Sequence, residues 1–428
     1  MLVGMKPSDL LRASFSAAIA AADPLAIVAA HLPPAPRGRV CVVGAGKAAA
    51  SMARAVELAW PDVALDGLVI TRYAHGLPTE RIRVVEAGHP VPDEAGEAAA
   101  REVLSLAQSL GPDDLLLALI SGGGSSLLAA AVPSVTMADL KAVTRELLRC
   151  GAPIEHMNVV RKHLTLAAGG RLAAATRARV LALIVSDVTG DAPSDIASGP
   201  CAPDPSTYAD ALAILARYGC DVPAAVRAYL ARGARGEVAE TPKPGDPLFA
   251  RVENRVIATA HRSLEAAADA FRAAKVAPAI LGDTVTGEAR EVAKVMAALA
   301  REIRRYRQPF TPPVALISGG ECTVTIPPGA AGRGGRCTEF LLSLAVELDG
   351  LPDVYALAAD TDGIDGSEDN AGAWLAPDSI ARAAAKGVAA RAALDAHDAW
   401  GFFAAADALL VTGPTRTNVN DYRAILVL

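Results

Sequence analysis

The sequence of 428 residues predicts an α/β protein with two domains, on three observations. Short, continuous runs of Val, Ile and Leu recur along the chain, and an apolar run without alternation indicates a strand that is covered on both faces. Long Ala-rich stretches separate these runs, and strands that alternate with helices are typical of mostly parallel sheets. Single cores stop growing near roughly 250–300 residues, so a chain of this length predicts two.

The apolar runs are the predicted strands, and the Ala-rich segments between them are the predicted helices. In chain order the strands are 39–43, 67–71, 82–86, 114–120, 179–186, 254–260, 277–281, 313–318, 353–358 and 407–411. Two more runs, 322–326 and 424–428, follow short turns rather than helices. The second sheet is therefore predicted to be mixed.

A polar segment at 234–247 has the Pro, Gly and charge content of a linker, and strand–helix alternation restarts after it. We therefore predict a Rossmann-like N-terminal domain over 1–238. The C-terminal domain would then cover 239–428.

The opening segment, residues 1–34, allows two interpretations. Lys6 and Arg12 precede an Ala-rich run, as in signal peptides. However, Asp9 interrupts the basic region, and the pair Ser8-Asp9 suits a helix N-cap. We favour an amphipathic helix whose apolar side carries Leu10, Leu11, Phe15 and Ile19.

Composition narrows the class of partner. The chain is 52% hydrophobic with a net charge of −6 and has no run of five like charges, which argues against nucleic acid. It contains no stretch of 18 apolar residues that is free of charge and Pro, which argues against a membrane span. The six cysteines have no zinc-site or disulfide-scaffold spacing. We expect a cytoplasmic protein with a small-molecule partner; the oligomeric state is left open, a homodimer included.

The first candidate loop follows the strand at 39–43 and contains Gly44, Gly46 and Lys47. Glycines at a strand end let the backbone approach an anion beside a helix N-terminus. The pattern also matches a dinucleotide fingerprint, but such a site needs an acidic residue after the next strand, where 71–73 reads Thr-Arg-Tyr. Lys47 therefore favours phosphate binding over a plain tight turn.

Two more loops follow buried strands of the N-terminal half. The glycine-rich one is predicted to wrap around an anion such as a phosphate, and its members are Ser121, Gly122, Gly123, Gly124, Ser125 and Ser126. The other contains Asp187, Asp191 and Asp195, carboxylates that suit a hard cation or the activation of a hydroxyl. Taken singly, each Asp is equally well explained as a helix cap or turn residue.

The C-terminal half contributes four polar loops. Glu321 follows a Ser-Gly-Gly turn, and Arg336 opens a predicted helix after glycines, where its guanidinium suits a phosphate or a surface ion pair. The remaining candidates are Arg333, Asp360, Asp362, Asp365, Asp369, Thr412, Gly413, Thr415 and Asn418.

Taken in order, these stretches resemble the glycerate 2-kinase family, whose C-terminal part is called the MOFRL domain. The matching stretches are GAGKAA, GHPVPDEAG, SGGGSSLL, NVVRKHL, SDVTGDAPSDIASGP, DPST, ISGGECTVTI, GRGGR and DGIDG followed by AG. The resemblance covers nearly the whole chain, with the MOFRL region at about 312–420. One departure is Cys337-Thr338, where the family often has Asn-Gln.

The resemblance implies ATP- and Mg²⁺-dependent (or other divalent-cation-dependent) phosphorylation of the 2-hydroxyl of D-glycerate, in a cleft between two α/β domains. Lys47 and Arg336 match the positions regarded as catalytic. We expect the glycine loops and Glu321 to bind the cofactor, and Asp187 and Asp191 to hold metal or activate the hydroxyl. Which loop binds nucleotide and which binds glycerate is left open.

Two other functions remain as alternatives. Family members are also labelled hydroxypyruvate reductase, an NAD(P)H-dependent activity that predicts an acidic ribose contact and a His acid/base. A non-catalytic sensor of sugar acids or nucleotides predicts binding without turnover. The loops favour the kinase.

Overall fold

The computed structural model describes residues 5–36, 38–327 and 332–428. It is an α/β structure that divides into two compact units. The N-terminal unit is Pro24–Ile257. The C-terminal unit combines Ala258–Leu428 with the N-terminal residues up to Asp23.

Strands and helices alternate along most of the chain. The strands are β1 Val40–Ala45, β2 Leu65–Arg72, β3 Ile82–Ala87, β4 Leu115–Ser121, β5 Arg179–Val185, β6 Val252–Ala258, β7 Ala277–Gly282, β8 Gly287–Glu288, β9 Val314–Ser318, β10 Cys322–Thr323, β11 Val354–Asp360, β12 Gly372–Leu375, β13 Leu409–Leu410 and β14 Asp421–Val427. The helices are α1 Pro7–Ala20, α2 Pro24–Ile27, α3 Ala49–Ala59, α4 Glu94–Gln108, α5 Gly124–Leu127, α6 Met137–Arg149, α7 Ile154–Leu164, α8 Arg171–Ala174, α9 Tyr208–Arg217, α10 Ala224–Ala234, α11 Ala260–Ala273, α12 Ala289–Tyr306, α13 Arg336–Leu348, α14 Ser379–Ala385, α15 Ala390–Asp395 and α16 Ala399–Ala405.

The N-terminal sheet has six strands in the order β3-β2-β1-β4-β5-β6. The pairs β1–β2, β1–β4, β2–β3 and β4–β5 are all parallel, as the continuous apolar runs predict. Strands β1 and β4 are buried at every position because helices cover both faces. The order reverses between β1 and β4, and in open α/β sheets that reversal is where ligands bind, at the carboxyl ends of the strands.

The C-terminal sheet is mixed, which confirms the prediction. Its order is β13-β12-β11-β14-β9-β7, with β7 and β9 parallel and the other pairs antiparallel. The run 322–326 differs from expectation: only β10 forms there, and it pairs with β8 outside the larger sheet. Strand β14 lies between β9 and β11 and is fully buried.

The division between the units differs from the boundary predicted near residue 238. Strand β6 lies beside β5 and completes the N-terminal sheet. The polar segment before it is also fixed in the N-terminal unit, because Oε2 of Glu240 lies 3.3 Å from Nε2 of His163 and Thr241 donates to Asp204 at 2.9 Å. Polar composition alone therefore predicted the wrong place for a break in the core.

Helix α1 confirms the amphipathic interpretation of the opening segment. Leu10, Leu11 and Phe15 are buried in a core of the C-terminal unit, where Phe15 lies 5.7 Å from the ring of Tyr422. The helix begins at Pro7, whose fixed φ suits the first helical turn, rather than after a Ser8-Asp9 cap. Across the described ranges no single helix is long and apolar enough to cross a membrane; one bent pair, Pro7–Ala20 with Pro24–His31, passes by length and composition alone.

Candidate active site

The loops after β1 and β4 meet at the point where the N-terminal strand order reverses. Gly46 has a φ of 139°, and a Cβ there would lie 2.1 Å from Oγ of Ser121, so only glycine fits. A Cβ on Gly44 would lie 2.2 Å from the carbonyl oxygen of Leu119. Both glycines thus allow close approach between the two strand ends, which is a packing role.

The backbone donors of the first loop are all used inside the protein. Gly46 donates to the carbonyl of Ile70 (3.1 Å), Lys47 to that of Gly122 (2.8 Å) and Ala48 to Oγ of Ser121 (2.9 Å). In a dinucleotide turn these N–H groups face the pyrophosphate. Here the three N–H groups are instead bonded within the protein, and Lys47 carries the positive charge of the loop.

The glycine-rich second loop packs closely against its neighbours. Gly123 is left-handed, with a φ of 82°, and a Cβ there would lie 2.9 Å from Cδ2 of His89 and 3.5 Å from Cγ of Lys47. A Cβ on Gly124 would lie 2.6 Å from the Cβ of Ala197. The hydroxyls are used as well, since Ser126 donates to the carbonyl of Gly123 at 3.1 Å. The loop therefore brings His89 and Lys47 together.

The third loop, after β5, has a strained backbone. Asp191 has a φ of 54°, and three consecutive residues, Ala197, Ser198 and Gly199, have φ values of 52°, 58° and 60°. Left-handed non-glycine residues cost free energy and concentrate at functional sites. Oγ of Ser198 lies 2.8 Å from Oγ of Ser125, a hydrogen bond that ties this loop to the glycine-rich loop.

The predicted metal ligands are only a partial set. Asp187 and Asp191 are half-buried in the third loop, whereas Asp195 lies 3.5 Å from the ammonium group of Lys162. Within the described ranges no three His, Cys, Asp or Glu side chains are grouped as a metal site would require. Two carboxylates suit Mg²⁺ only if water and nucleotide phosphates complete its coordination.

A cluster of basic side chains lies at the same edge, and we call Lys47, Arg72, His89 and Arg161 the basic cluster. Burial, with Lys47, Arg72 and Arg161 nearby, lowers the pKa of His89 to about 3, so its imidazole is neutral at pH 7. Burial also lowers the pKa of Arg161. Sequence reasoning missed Arg72 and Arg161 as site residues, although the latter stands in the motif NVVRKHL.

In the C-terminal unit, Arg336 is held by carboxylates. Its Nη2 lies 2.6 Å from Asp360 and 3.5 Å from Glu321, and its Nε lies 2.9 Å from Asp421. Burial raises the pKa of Asp421 to about 7, against the lowering effect of Arg336 and Arg423. Arg336 is therefore not a surface ion pair, and its guanidinium is not free to point two nitrogens at a phosphate. Of its three nitrogens, Nη1 is the one with no partner among the described residues.

The N-terminus of α13 is already capped. Asp365 accepts hydrogen bonds from the N–H groups of Cys337 (3.0 Å) and Thr338 (2.8 Å) and from the hydroxyl of Thr338 (2.8 Å). Thr338 also accepts from the N–H of Gly335 at 3.0 Å. The departure at Cys337-Thr338 therefore falls on a buried helix cap.

Glu339, in the same helix, is structural. Its Oε1 lies 2.5 Å from Nε of Arg290 and 2.9 Å from Nδ1 of His397, and its side chain is buried. Glu321 differs from it because the Glu321 side chain is 58% exposed. Glu321 is therefore accessible to solvent or a ligand, whereas Glu339 is not.

Two family models match the chain. One, described as a domain of unknown function (DUF4147), covers residues 10–231, and the other, the MOFRL family, covers residues 314–421. An Agrobacterium vitis protein that carries a provisional hydroxypyruvate reductase name is 53% identical over 98% of this chain and 94% of its own length.

Other relatives are named as kinases. A glycerate 2-kinase from Pyrococcus horikoshii is 40% identical over 90% of this chain and 86% of its own length. The crystal structure of a glycerate kinase from Thermotoga maritima superposes with a TM-score of 0.86 at 36% identity, covering 98% of this chain and 99% of that one.

Proposed function

We propose, because this chain belongs to the glycerate kinase family with a MOFRL domain, that it is a glycerate 2-kinase. The reaction is transfer of the terminal phosphoryl group of ATP to the 2-hydroxyl of D-glycerate. One observation carries the proposal beyond the family relation. The basic cluster lies at the carboxyl edge of the N-terminal sheet, beside a loop whose backbone N–H groups are already bonded.

That observation separates a kinase from a reductase. Arg72, at the end of β2, occupies the place where a dinucleotide site for NAD has an acidic residue, yet an arginine there would suit the 2′-phosphate of NADP. The N–H groups of Lys47 and Ala48 argue against both nicotinamide cofactors, because they are bonded within the protein and cannot bind a pyrophosphate. A cluster of cations that is not accompanied by a pyrophosphate-binding turn is suited to stabilise the negative charge of a transferring phosphoryl group.

We assign roles from this arrangement. Lys47 binds the transferring phosphoryl group, since its ammonium is the charge that the first loop presents. Asp187 and Asp191 would hold Mg²⁺, which neutralises charge on the nucleotide phosphates when bound. Arg336, in the C-terminal unit, is the second proposed catalytic residue on the family pattern, and Asp360 and Asp421 orient its guanidinium. The third loop, which contains both predicted metal ligands, would position them through its strained backbone.

The test compares two activities of the purified protein. ADP formation is measured with D-glycerate, ATP and Mg²⁺, and NADH or NADPH oxidation is measured with hydroxypyruvate at the same enzyme concentration. The proposal expects ADP formation that depends on D-glycerate and no oxidation above the enzyme-free rate. Oxidation of either nicotinamide without ADP formation would assign the reductase activity instead. Binding of D-glycerate or ATP without either turnover would indicate a sensor.

Three expectations stay predictions. The requirement for Mg²⁺ rests on the two carboxylates and the known demands of phosphoryl transfer. The homodimer and the cytoplasmic location rest on the sequence alone. Removal of divalent cations with a chelator should abolish ADP formation, and readdition of Mg²⁺ should restore it.

A further inference from the structure

Arg161 is the member of the basic cluster that no described residue neutralises. It lies on α7 and is half-buried, and neither a hydrogen bond nor an ion pair of its guanidinium is recorded in the described parts of the chain. Its neighbour in sequence, Lys162, contrasts with it, because Lys162 lies 3.5 Å from both Asp195 and Asp204. A partly buried cation without a counter-charge is costly unless a ligand supplies one.

The fold carries Arg161 to the edge of the N-terminal sheet. Asn158, one turn earlier on α7, accepts a hydrogen bond from the hydroxyl of Ser198 at 3.1 Å. The same hydroxyl lies 2.8 Å from that of Ser125 in the glycine-rich loop. Residues three apart share a helix face, so Arg161 lies on the side of α7 that faces the loops after β4 and β5.

We propose that Arg161 binds the carboxylate of the hydroxy-acid substrate and sets the specificity for 2-hydroxy carboxylates. A guanidinium presents two parallel donors that match the two oxygens of a carboxylate. Lys47 is assigned to the phosphoryl group. Another residue must therefore bind the carboxylate of the acceptor, which is negatively charged throughout the reaction. The inference rests on the proposed function and deepens it, since neutral polyols of similar size would lack this contact.

The chemistry of the other cluster members supports this division. His89 is neutral at pH 7, so its ring adds hydrogen bonding without adding charge. Arg161 and Lys47 then provide two separate positive charges, one for each anionic part of the reacting pair. An uncharged amide of glycerate would leave Arg161 without its counter-charge, and sites with an unpaired buried polar group reject such analogues strongly.

The test uses Arg161→Met and Arg161→Lys in the full chain, with Arg145→Met as the control. Arg145 is an exposed arginine on α6 and is not a member of the basic cluster. Steady-state kinetics give KM for D-glycerate and for ATP separately, and calorimetry gives the binding of D-glycerate without turnover. Glyceramide serves as the neutral competitor substrate.

We expect Arg161→Met to raise KM for D-glycerate about 100-fold, with KM for ATP changed less than about threefold, and Arg161→Lys to recover part of the loss. The preference of the wild type for D-glycerate over glyceramide should fall in Arg161→Met by a similar factor, an effect that a structural role would not produce. Arg145→Met should match the wild type.

Several results would overturn the assignment. A raised KM for ATP with an unchanged KM for D-glycerate would make the bound anion a nucleotide phosphate. An unchanged preference over glyceramide in a folded Arg161→Met would make Arg161 structural. The proposed function can fail separately. If the wild type binds D-glycerate in calorimetry but never phosphorylates it, Arg161 remains a carboxylate ligand and the kinase activity is refuted.

Discussion

Lys47 shows how a single residue acquires its role from the backbone around it. The glycines of its loop are required by close packing, and the neighbouring N–H groups are bonded to Ile70 and Gly122. The role proposed for Lys47 therefore belongs to its side chain and not to the backbone of the loop. The sequence predicted this residue from the GAGKAA pattern, but it could not predict that the backbone donors are occupied, because their acceptors belong to other strands.

Replacing Lys47 with Ala should lower kcat by several orders of magnitude, since the charge that meets the phosphoryl group is lost. The unfolding midpoint should change little, because the side chain is not part of the core. Lys294→Ala, at an exposed lysine paired with Glu291, is the control. Kinetics and thermal unfolding measure both effects. Near-normal turnover in a folded Lys47→Ala protein would refute the assignment.

Replacing Arg336 tests a residue for which the structure revised the expectation. Arg336→Met removes the cation between Asp360 and Asp421, so we expect a loss of about 3–5 kcal/mol in the free energy of unfolding along with the loss of activity. Arg336→Lys should recover part of the stability. Denaturant titration measures the change. A stable Arg336→Met protein with reduced kcat would show that Arg336 acts in catalysis and does not stabilise the fold.

His89 predicts a pH dependence of stability. Its pKa is about 3 in the folded protein against 6.5 for an ordinary histidine, so between these values the unfolded chain binds the extra proton. This group therefore destabilises the fold as pH falls from about 6.5 towards 3. His89→Gln, which cannot take up that proton, should lose less stability than the wild type between pH 7 and pH 4.5. Parallel acid titrations of the two proteins would contradict the prediction.

At the scale of elements, α13 depends on a carboxylate from a distant loop. Asp365 bonds the N–H groups of Cys337 and Thr338, and it is buried. Asp365→Ala leaves these donors unpaired, so the free energy of unfolding should fall by about 2 kcal/mol. Asp369→Ala, at an exposed residue of the same loop, should have little effect. Equal stability of the two variants would show that the cap is dispensable.

The elements themselves were largely readable from the sequence, and the exceptions have physical causes. Continuous apolar runs located the long strands, since burial on both faces selects Val, Ile and Leu. Strand β12 was missed because its four residues include Gly372 and Ala373 and form no apolar run of note. The strand predicted over 322–326 was too long. That run contains β-branched residues, but the strand there covers only two positions.

At the scale of the whole molecule, composition gave the two-part α/β organisation and the family motifs gave its place among kinases. The strand order could not be read, because it depends on pairings between residues far apart in sequence. It is that order which brings the loops after β1 and β4 to one point. The break between units followed from strand pairing as well, since β6 completes the first sheet after the polar segment has ended.

The central claim is that this chain phosphorylates D-glycerate at its 2-hydroxyl. NMR of the product made by the wild-type protein from D-glycerate, ATP and Mg²⁺ tests it most directly, because phosphorus–proton coupling identifies the carbon that bears the phosphate. We predict coupling to the single proton on carbon 2, as in 2-phosphoglycerate. Coupling to the two protons on carbon 3, or no phosphorylated product from an enzyme that oxidises NADPH with hydroxypyruvate, would contradict the claim.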